Sequence, residues 1–311
     1  MNENLQQQTV KLLKELAPQE GYNLTALPGV RILRSDRPLA RTPVLYDPGI
    51  VIVCQGMKRG FFGDQIYLYD EQNYLAVSVP VPFTIETVAS AEHPLLAIYM
   101  HLDFNVATQL MLQLEEQAVL FEVKAAQSMM SSPVDEVLRG TILRFLTALN
   151  HPLDALILGQ SLVRELYYRV LTGAQGSALR AALASEGQFG KVGKTLSHIH
   201  AHYMQPLNLS QLAAVAGMSV PTFHTHFKTV TNQSPMQYLK SVRLHQARIL
   251  MVRQELTAAA AGHAVGYESA SQFNREFKRL FGLPPAEEIK RMQRSFAVPP
   301  AQPASVFVSS H

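Results

Sequence analysis

Cysteine is nearly missing from this chain: Cys54 is the only one among 311 residues. An intrachain disulfide and a cysteine-rich zinc site are thereby excluded. No apolar run reaches the roughly 18 residues needed to cross a bilayer. The start, MNENLQQQTVKLLKELAP, has neither the basic opening nor the apolar core of a signal peptide. Together these gaps predict a protein of the reducing cytoplasm with no membrane partner. Net charge is small as well, at +3, but it is unevenly spread. Residues 186–296 hold thirteen Lys/Arg against six Asp/Glu, and the rest of the chain fourteen against eighteen. A basic module is joined to a mildly acidic one, which fits phosphate contacts in one half. The G-x-S-x-G, P-loop and H-E-x-x-H patterns are absent. No catalytic residue, cofactor or metal is therefore assigned.

What the chain does have is an internal repeat. The stretch SVPTFHTHFK at Ser219 to Lys228 returns fifty residues later as SASQFNREFK at Ser269 to Lys278. Each copy follows an Ala-rich apolar run closed by a glycine, Gly217 in one case and Gly266 in the other. Helix, tight turn and second helix is the order of a helix-turn-helix. Phe223 and Phe227, like Phe273 and Phe277, are four apart, so each pair lies on one helical face and can pack on the preceding helix. The opposite stripes are polar: Pro221, His224, Thr225 and Lys228 in the first copy, Ser271, Asn274, Arg275 and Lys278 in the second. Short donors and acceptors with a cation at the far end suit base edges and phosphates. A single such stripe could simply face water, but two in register point to double-stranded DNA as the partner.

The pattern AVGYESASQFNREFKRLFGLPP resembles the signature of the AraC/XylS family of bacterial transcription regulators, over about one hundred residues from near His198 to Met292. The resemblance implies two helix-turn-helix units joined by a long helix, here from Pro235 to about Val252. Two recognition helices would then enter successive major-groove turns about 34 Å apart. The implied DNA-binding residues are Ser219, Pro221, Thr222, His224, Thr225 and Lys228 in the first unit. Those of the second are Ser269, Ser271, Gln272, Asn274, Arg275 and Lys278. Thr225 stands where many relatives carry arginine. The family also implies promoter binding, contact with RNA polymerase, a homodimer and no enzymatic activity.

The N-terminal half has a different texture. Residues 4 to 17 space Leu5, Leu12, Leu13 and Leu16 as a short amphipathic helix. From Val30 to Leu102 short β-branched and aromatic runs (VRILRS, IVIVCQ, FF, IYLY, YLAVSV, FTIET, LLAIYMHL) alternate with turn residues, which predicts a small antiparallel barrel or jelly roll. Gly63-Asp64 signals a two-residue hairpin. The segment LYDPGIVIVCQGMKRGFFGDQIYLYDEQNYLAVSVPVPF resembles the N-terminal sensing domain of one branch of the same family, implying a cupin-like barrel with packed helices. Helices are predicted over 105–117, 133–149 and 153–171, the family's dimer-forming region. Small residues at 173–190 mark the interdomain connection. The expected layout is α+β: a sensing and dimerisation domain at 1–185, an all-α double helix-turn-helix at 186–296, and a disordered tail at 297–311.

Several side chains admit two readings. Cys54, Tyr67, Tyr69 and Phe83, with Tyr74, Tyr99 and Phe104, could line a site for a small organic effector or could be core. Cys54 could meet an electrophile if it points into the barrel, or serve as a small buried hydrophobe. His198 and His202 lie one helical turn apart, spaced for a metal or simply for a surface. The barrel has His93 and His101 but no H-x-H pair of the kind metal-dependent cupin enzymes use. A regulator controlled by protein contact, or an enzyme fused to a DNA-binding module, are the alternatives to a ligand-controlled regulator.

Overall fold

The computed structural model describes residues 2–116, 124–184 and 187–295. Helix α1 (Asn2–Leu16) precedes strands β1 (Gly21–Leu24), β2 (Val30–Ser35), β3 (Leu39–Tyr46), β4 (Gly49–Gln55) and β5 (Met57–Phe62). Strands β6 (Gln65–Asp70), β7 (Asn73–Val77), β8 (Val81–Val88) and β9 (Leu95–His101) follow, then α2 (Phe104–Glu116) and β10 (Met129–Pro133). They form two antiparallel sheets, one ordered β1-β2-β9-β4-β7-β10 and the other β3-β8-β5-β6. The hairpin at Gly63 is present: Phe62 pairs with Gln65, and Gly63 has φ of 60°. Strands β1, β3 and β10 are additional to the expected runs, because LARTPVLY and MMSSP carry charge or proline that breaks the apolar pattern.

The large sheet is buried on both faces, which explains continuous runs such as IVIVC. In β4, Ile50, Ile52 and Cys54 face the helices, while Val51 and Val53 face the small sheet. In β9, Leu96, Ile98 and Met100 face outward to the helices, and Leu95, Ala97 and Tyr99 inward. The helical layer consists of α1, α2, α3 (Glu136–Leu149), α4 (Pro152–Thr172) and α5 (Gly176–Leu183). Helix α3 starts later than expected because Pro133 ends β10 and Asp135 caps the helix, accepting from the Leu138 amide at 2.7 Å. The small-residue segment expected as an interdomain connection, 173–190, is largely helical in its described residues. Its Gly176, Ala178, Leu179 and Ala182 are buried in α5, and a Cβ on Gly176 would sit 2.1 Å from the Leu171 carbonyl oxygen. The proposed 185/186 boundary and the 297–311 tail lie outside the described residues.

The C-terminal half comprises α6 (Gly187–His202), α7 (Leu209–Val215), α8 (Val220–Thr231), α9 (Pro235–Arg253), α10 (Ala258–Ala264), α11 (Ala270–Phe281) and α12 (Pro285–Ser295). Its first unit, α6 to α8, shares one apolar core with the β domain: Phe83 and Val81 belong with Ile199, Phe223, Phe227 and Tyr238. The second unit has its own core, around Phe273, Phe277 and Phe281. Helix α9 spans both, giving Tyr238, Leu239 and Val242 to the first and Leu244, Ala247 and Met251 to the second.

Polar bonds secure these contacts. The Tyr238 hydroxyl donates to the Pro80 carbonyl at 2.8 Å and lies 2.8 Å from His200 Nε2, so His200 is the donor in that second bond. Ser128 Oγ donates to the Val230 carbonyl at 2.5 Å. The second unit is held by Arg248, which is 1% exposed. Its guanidinium pairs with Glu288 at 3.3 Å, donates to Pro43 of β3 at 3.2 Å and lies over the Phe281 ring. Burial lowers its pKa to about 10, opposed by Glu288. Removing one member of such a pair leaves a buried charge, at a cost of about 3–5 kcal/mol.

Burial lowers the His200 pKa from 6.5 to about 3. Unfolded chains take up this proton near pH 6.5, whereas the folded protein resists it. The stability is therefore complete above pH 6.5 and is lost as pH falls, at about 1.4 kcal/mol per pH unit. His245, lowered by burial and Arg248, adds in the same direction. Urea denaturation between pH 7.5 and 5 should show a shallower slope in His200→Gln, whose amide can still donate to Tyr238, than in the parent. Equal slopes would contradict a neutral buried His200.

Candidate nucleic-acid interface

Both units place a capped helix behind a left-handed glycine turn. Gly217 and Gly266 have φ of 60° and 89°. A Cβ at Gly266 would also approach the Met204 carbonyl oxygen to 2.7 Å. Ser219 and Ser269 are the N-caps of α8 and α11, accepting from the amides of Thr222 and Gln272. The Ser219 and Thr222 hydroxyls bond each other at 2.8 Å. The Ser219, Thr222 and Ser269 side chains thus have structural duties at the helix starts.

The aromatic stripes face inward. Phe223 and Phe227 stack edge-on with centroids 5.3 Å apart, and the Phe273 and Phe277 rings are 5.5 Å apart. A Cβ on Gly262 would come within 2.9 Å of the Phe273 ring, so α10 needs glycine there to approach α11. Opposite the phenylalanines, Pro221, His224, Thr225 and Lys228 are exposed, as are Ser271, Asn274, Arg275 and Lys278. The Thr225 hydroxyl bonds back to the Pro221 carbonyl at 3.1 Å, leaving its methyl as the outward group. Gln272 is half-buried and donates to Glu276 at 3.3 Å.

Glu276 was not legible as a functional residue. It is buried on the inner side of α11 and receives Lys240 Nζ and the Tyr267 hydroxyl, both at 2.8 Å. Burial raises its pKa, but the Lys240, Tyr267 and Gln272 donors bring it below the usual carboxylate value overall. Its charge is therefore neutralised inside the unit, and Arg275, Lys278 and the exposed Arg279 keep the outer face positive. Arg279 also escaped the sequence reading, because Thr229 holds the matching place in the first copy.

The three histidines before the first unit divide. His200 is buried, while the His198 and His202 rings stack 4.3 Å apart and His202 Nδ1 bonds the His198 carbonyl. Among the described residues no three His, Cys, Asp or Glu converge as a metal site. No described helix is long and apolar enough to cross a membrane.

The suspected effector residues also divide. Tyr69, Phe83 and Tyr99 lie in the inner core between the sheets, with Tyr67 packed at its margin. Cys54 and Tyr74 face the helical layer instead, because they share β4 and β7 alternation with Ile52 and Ala76. Burial, then Glu71, pushes the Cys54 thiol up to about 12, far from a reactive thiolate. Phe104 stands exposed at the start of α2. The interior also holds charge that the sequence did not reveal. Arg31 is buried between the Tyr22 and Tyr99 rings, and Lys58 Nζ lies 3.4 Å from the Tyr46 hydroxyl. Asp47 is 1% exposed, neither carboxylate oxygen has a hydrogen-bond partner among the described residues, and burial raises its pKa to about 7 against the pull of Arg31.

Comparison with known proteins agrees with this geometry. The family model for the AraC-type transcriptional regulator N-terminus matches residues 26–178, and a helix-turn-helix domain model matches residues 212–291. The MmsAB operon regulatory protein of Pseudomonas aeruginosa is 30% identical over 97 residues, 31% of this chain and 30% of its own length. The regulator AlkR of Acinetobacter baylyi is 32% identical over 95 residues, 30% of this chain and 31% of its own. The chain thus spans about a third of the length of these relatives. Among solved structures, ToxT of Vibrio cholerae has a TM-score of 0.58 at 8% identity, covering 88% of this chain and 99% of that one. A second ToxT structure, with an unsaturated fatty acid bound, has a TM-score of 0.57 at 10% identity, covering 87% and 97%. With one family model ending in α5 and the other beginning in α7, the chain belongs to the AraC/XylS family of transcriptional regulators, its AraC-type N-terminal domain preceding a helix-turn-helix DNA-binding domain.

Proposed function

We propose that the chain is a sequence-specific promoter-binding regulator that reads two adjacent major-groove half-sites, one with α8 and one with α11. The observation that carries this reading is the pair of exposed polar stripes, each backed by buried phenylalanines and each ending in a cation, Lys228 and Lys278. Arg275 and Asn274 are the side-chain types that pair with guanine and adenine edges respectively. His224 and the Thr225 methyl offer a hydrogen bond and an apolar contact in the first unit. The protein acts by binding rather than catalysis, in the cytoplasm, and influences RNA polymerase at the promoter.

The N-terminal domain, residues 1 to about 185, supplies control. A small molecule held between the sheets, near Tyr69, Phe83 and the orphaned Asp47, would bias how the first unit is presented, because both belong to one core. A fatty acid bound to ToxT, which shares the fold, supports ligand control as a use of this architecture. Control by a protein contact instead of a ligand is the second reading. A homodimer forms through α4, where Leu153, Leu156 and Ile157 share one face and are 70%, 74% and 65% exposed.

Three kinds of measurement check these statements. Selection of bound DNA from a random pool should show Arg275→Ala losing about 1–3 kcal/mol with relaxed preference at one base position. Lys228→Ala should weaken every sequence alike and lower the salt slope by about one ion. Loss of affinity in Arg275→Ala with preference intact would assign it to phosphate. In a thermal-shift screen of small organic molecules, an effector should raise the melting temperature saturably. That rise should vanish in Arg31→Gln, and a screen with no such molecule would favour control by protein contact. Sedimentation should show a dimer that Leu156→Arg converts to monomer; a monomeric parent at tens of micromolar would remove the dimer.

A further inference from the structure

The outward stripe of α8 is built largely from residues that are polar by type, yet its surface chemistry is set by where their protons go. Thr225 Oγ1 donates to the Pro221 carbonyl at 3.1 Å, and Thr229 Oγ1 donates to the Thr225 carbonyl at 3.1 Å. A threonine that bonds back one helical turn commits its only hydroxyl proton to its own helix. Its methyl is then the group left for a partner. Pro221, Thr225 and Thr229 follow one another at intervals of four, so they form one row along the helix, and all three are exposed. Pro221 contributes a ring without an N–H. The row therefore presents carbon, a proline ring followed by two methyls, with His224 and Lys228 exposed beside it.

The matching row of the second unit is Ser271, Arg275 and Arg279, fifty residues on and likewise exposed. Both helices have the same inner phenylalanines and the same serine caps, so each row is presented outward in the same way. One row is apolar at its surface and the other is cationic. Packing does not require this difference, because none of the six side chains belongs to either core. It bears instead on what each helix meets. In the major groove the thymine edge carries a C5-methyl group, which takes apolar contacts, whereas guanine offers two acceptors to an arginine.

We propose that α8 selects its half-site by a thymine C5-methyl group packed against the Thr225 methyl and the Pro221 ring. This chemistry rests on the assignment of α8 and α11 as the reading helices, and it defines what the first of them recognises. 5-Methylcytosine places the same methyl at the same point of the groove. It substitutes in part for thymine there, so methylation of a cytosine at that position strengthens binding by α8.

Competition binding by the full-length protein tests this, on a duplex recovered by selection and on copies in which each thymine is replaced singly by deoxyuridine. That change removes the methyl and keeps the base pair. In the half-site whose base preference Arg275→Ala leaves untouched, at least one replacement should weaken binding about fourfold, the contribution of one buried methyl group. Cytosine at that position should also bind more weakly than thymine, and a 5-methyl on the cytosine should recover about fourfold. Thr225→Ser keeps the hydroxyl and loses the methyl, and should bind the thymine and deoxyuridine duplexes equally. Thr225→Val keeps the methyl and loses the hydroxyl, and should retain the preference. Unchanged melting temperatures would show that both variants remain folded. A half-site in which no deoxyuridine weakens binding, the lack of any response to the 5-methyl, or a preference kept in Thr225→Ser or lost in Thr225→Val would overturn the proposal. In those cases two recovered half-sites, with Arg275→Ala still relaxing one of them, would leave the double reading intact. Recovery of a single half-site would remove the double reading and this proposal together.

Discussion

The molecule depends on a single helix that has almost no solvent face. Helix α9 buries Tyr238, Leu239 and Val242 toward the β domain and first unit, and Leu244, Ala247 and Met251 toward the second. A helix buried on several sides cannot rotate to favour one partner without disturbing the other. It therefore fixes the separation of α8 and α11 and also transmits the position of the β domain. Two polar groups on it complete the link: Tyr238 to the Pro80 carbonyl, and Arg248 to the Pro43 carbonyl and Glu288.

The two units are coupled to the N-terminal domain unequally. The first merges with it in one core, so a displacement of β8 acts on Phe223 and Phe227 through continuous packing. The second has a separate core and meets the N-terminal domain at β3, through α11, α9 and the buried Arg248 guanidinium. On the proposed reading, this asymmetry would let the first unit answer to the N-terminal domain while the second supplies steadier DNA affinity. The cation-rich face of α11, with Arg275, Lys278 and Arg279, agrees with that division.

Much of this was readable from residues because it is local. The fifty-residue repeat, the Phe pairs at i and i+4, the left-handed glycines and the two-residue hairpin each follow from short-range geometry. The long joining helix was also visible, from Pro235 at its start. Other features depend on what lies across the fold. Cys54 faces the helices because of strand register, which a lone cysteine in an apolar run does not reveal. Asp47, Arg31 and Lys58 are spread along the chain, and only sheet pairing brings them into one interior. Arg248 and Glu276 look like ordinary helix-surface charges until α12, Lys240 and Tyr267 are folded against them. Strand β10 and helix α5 were missed or blurred because serines, proline and small residues mask elements whose stability comes from their neighbours.

The proposed double reading can be met most directly on DNA itself. Hydroxyl-radical footprinting of the full-length protein on a site recovered by selection should give two protected patches on one face of the duplex, about 10 base pairs apart. Such a pattern would place α8 and α11 in successive turns, as the rigid α9 requires. A single patch of one half-site, at protein concentrations that saturate the DNA, would contradict the account and leave one unit as a structural support.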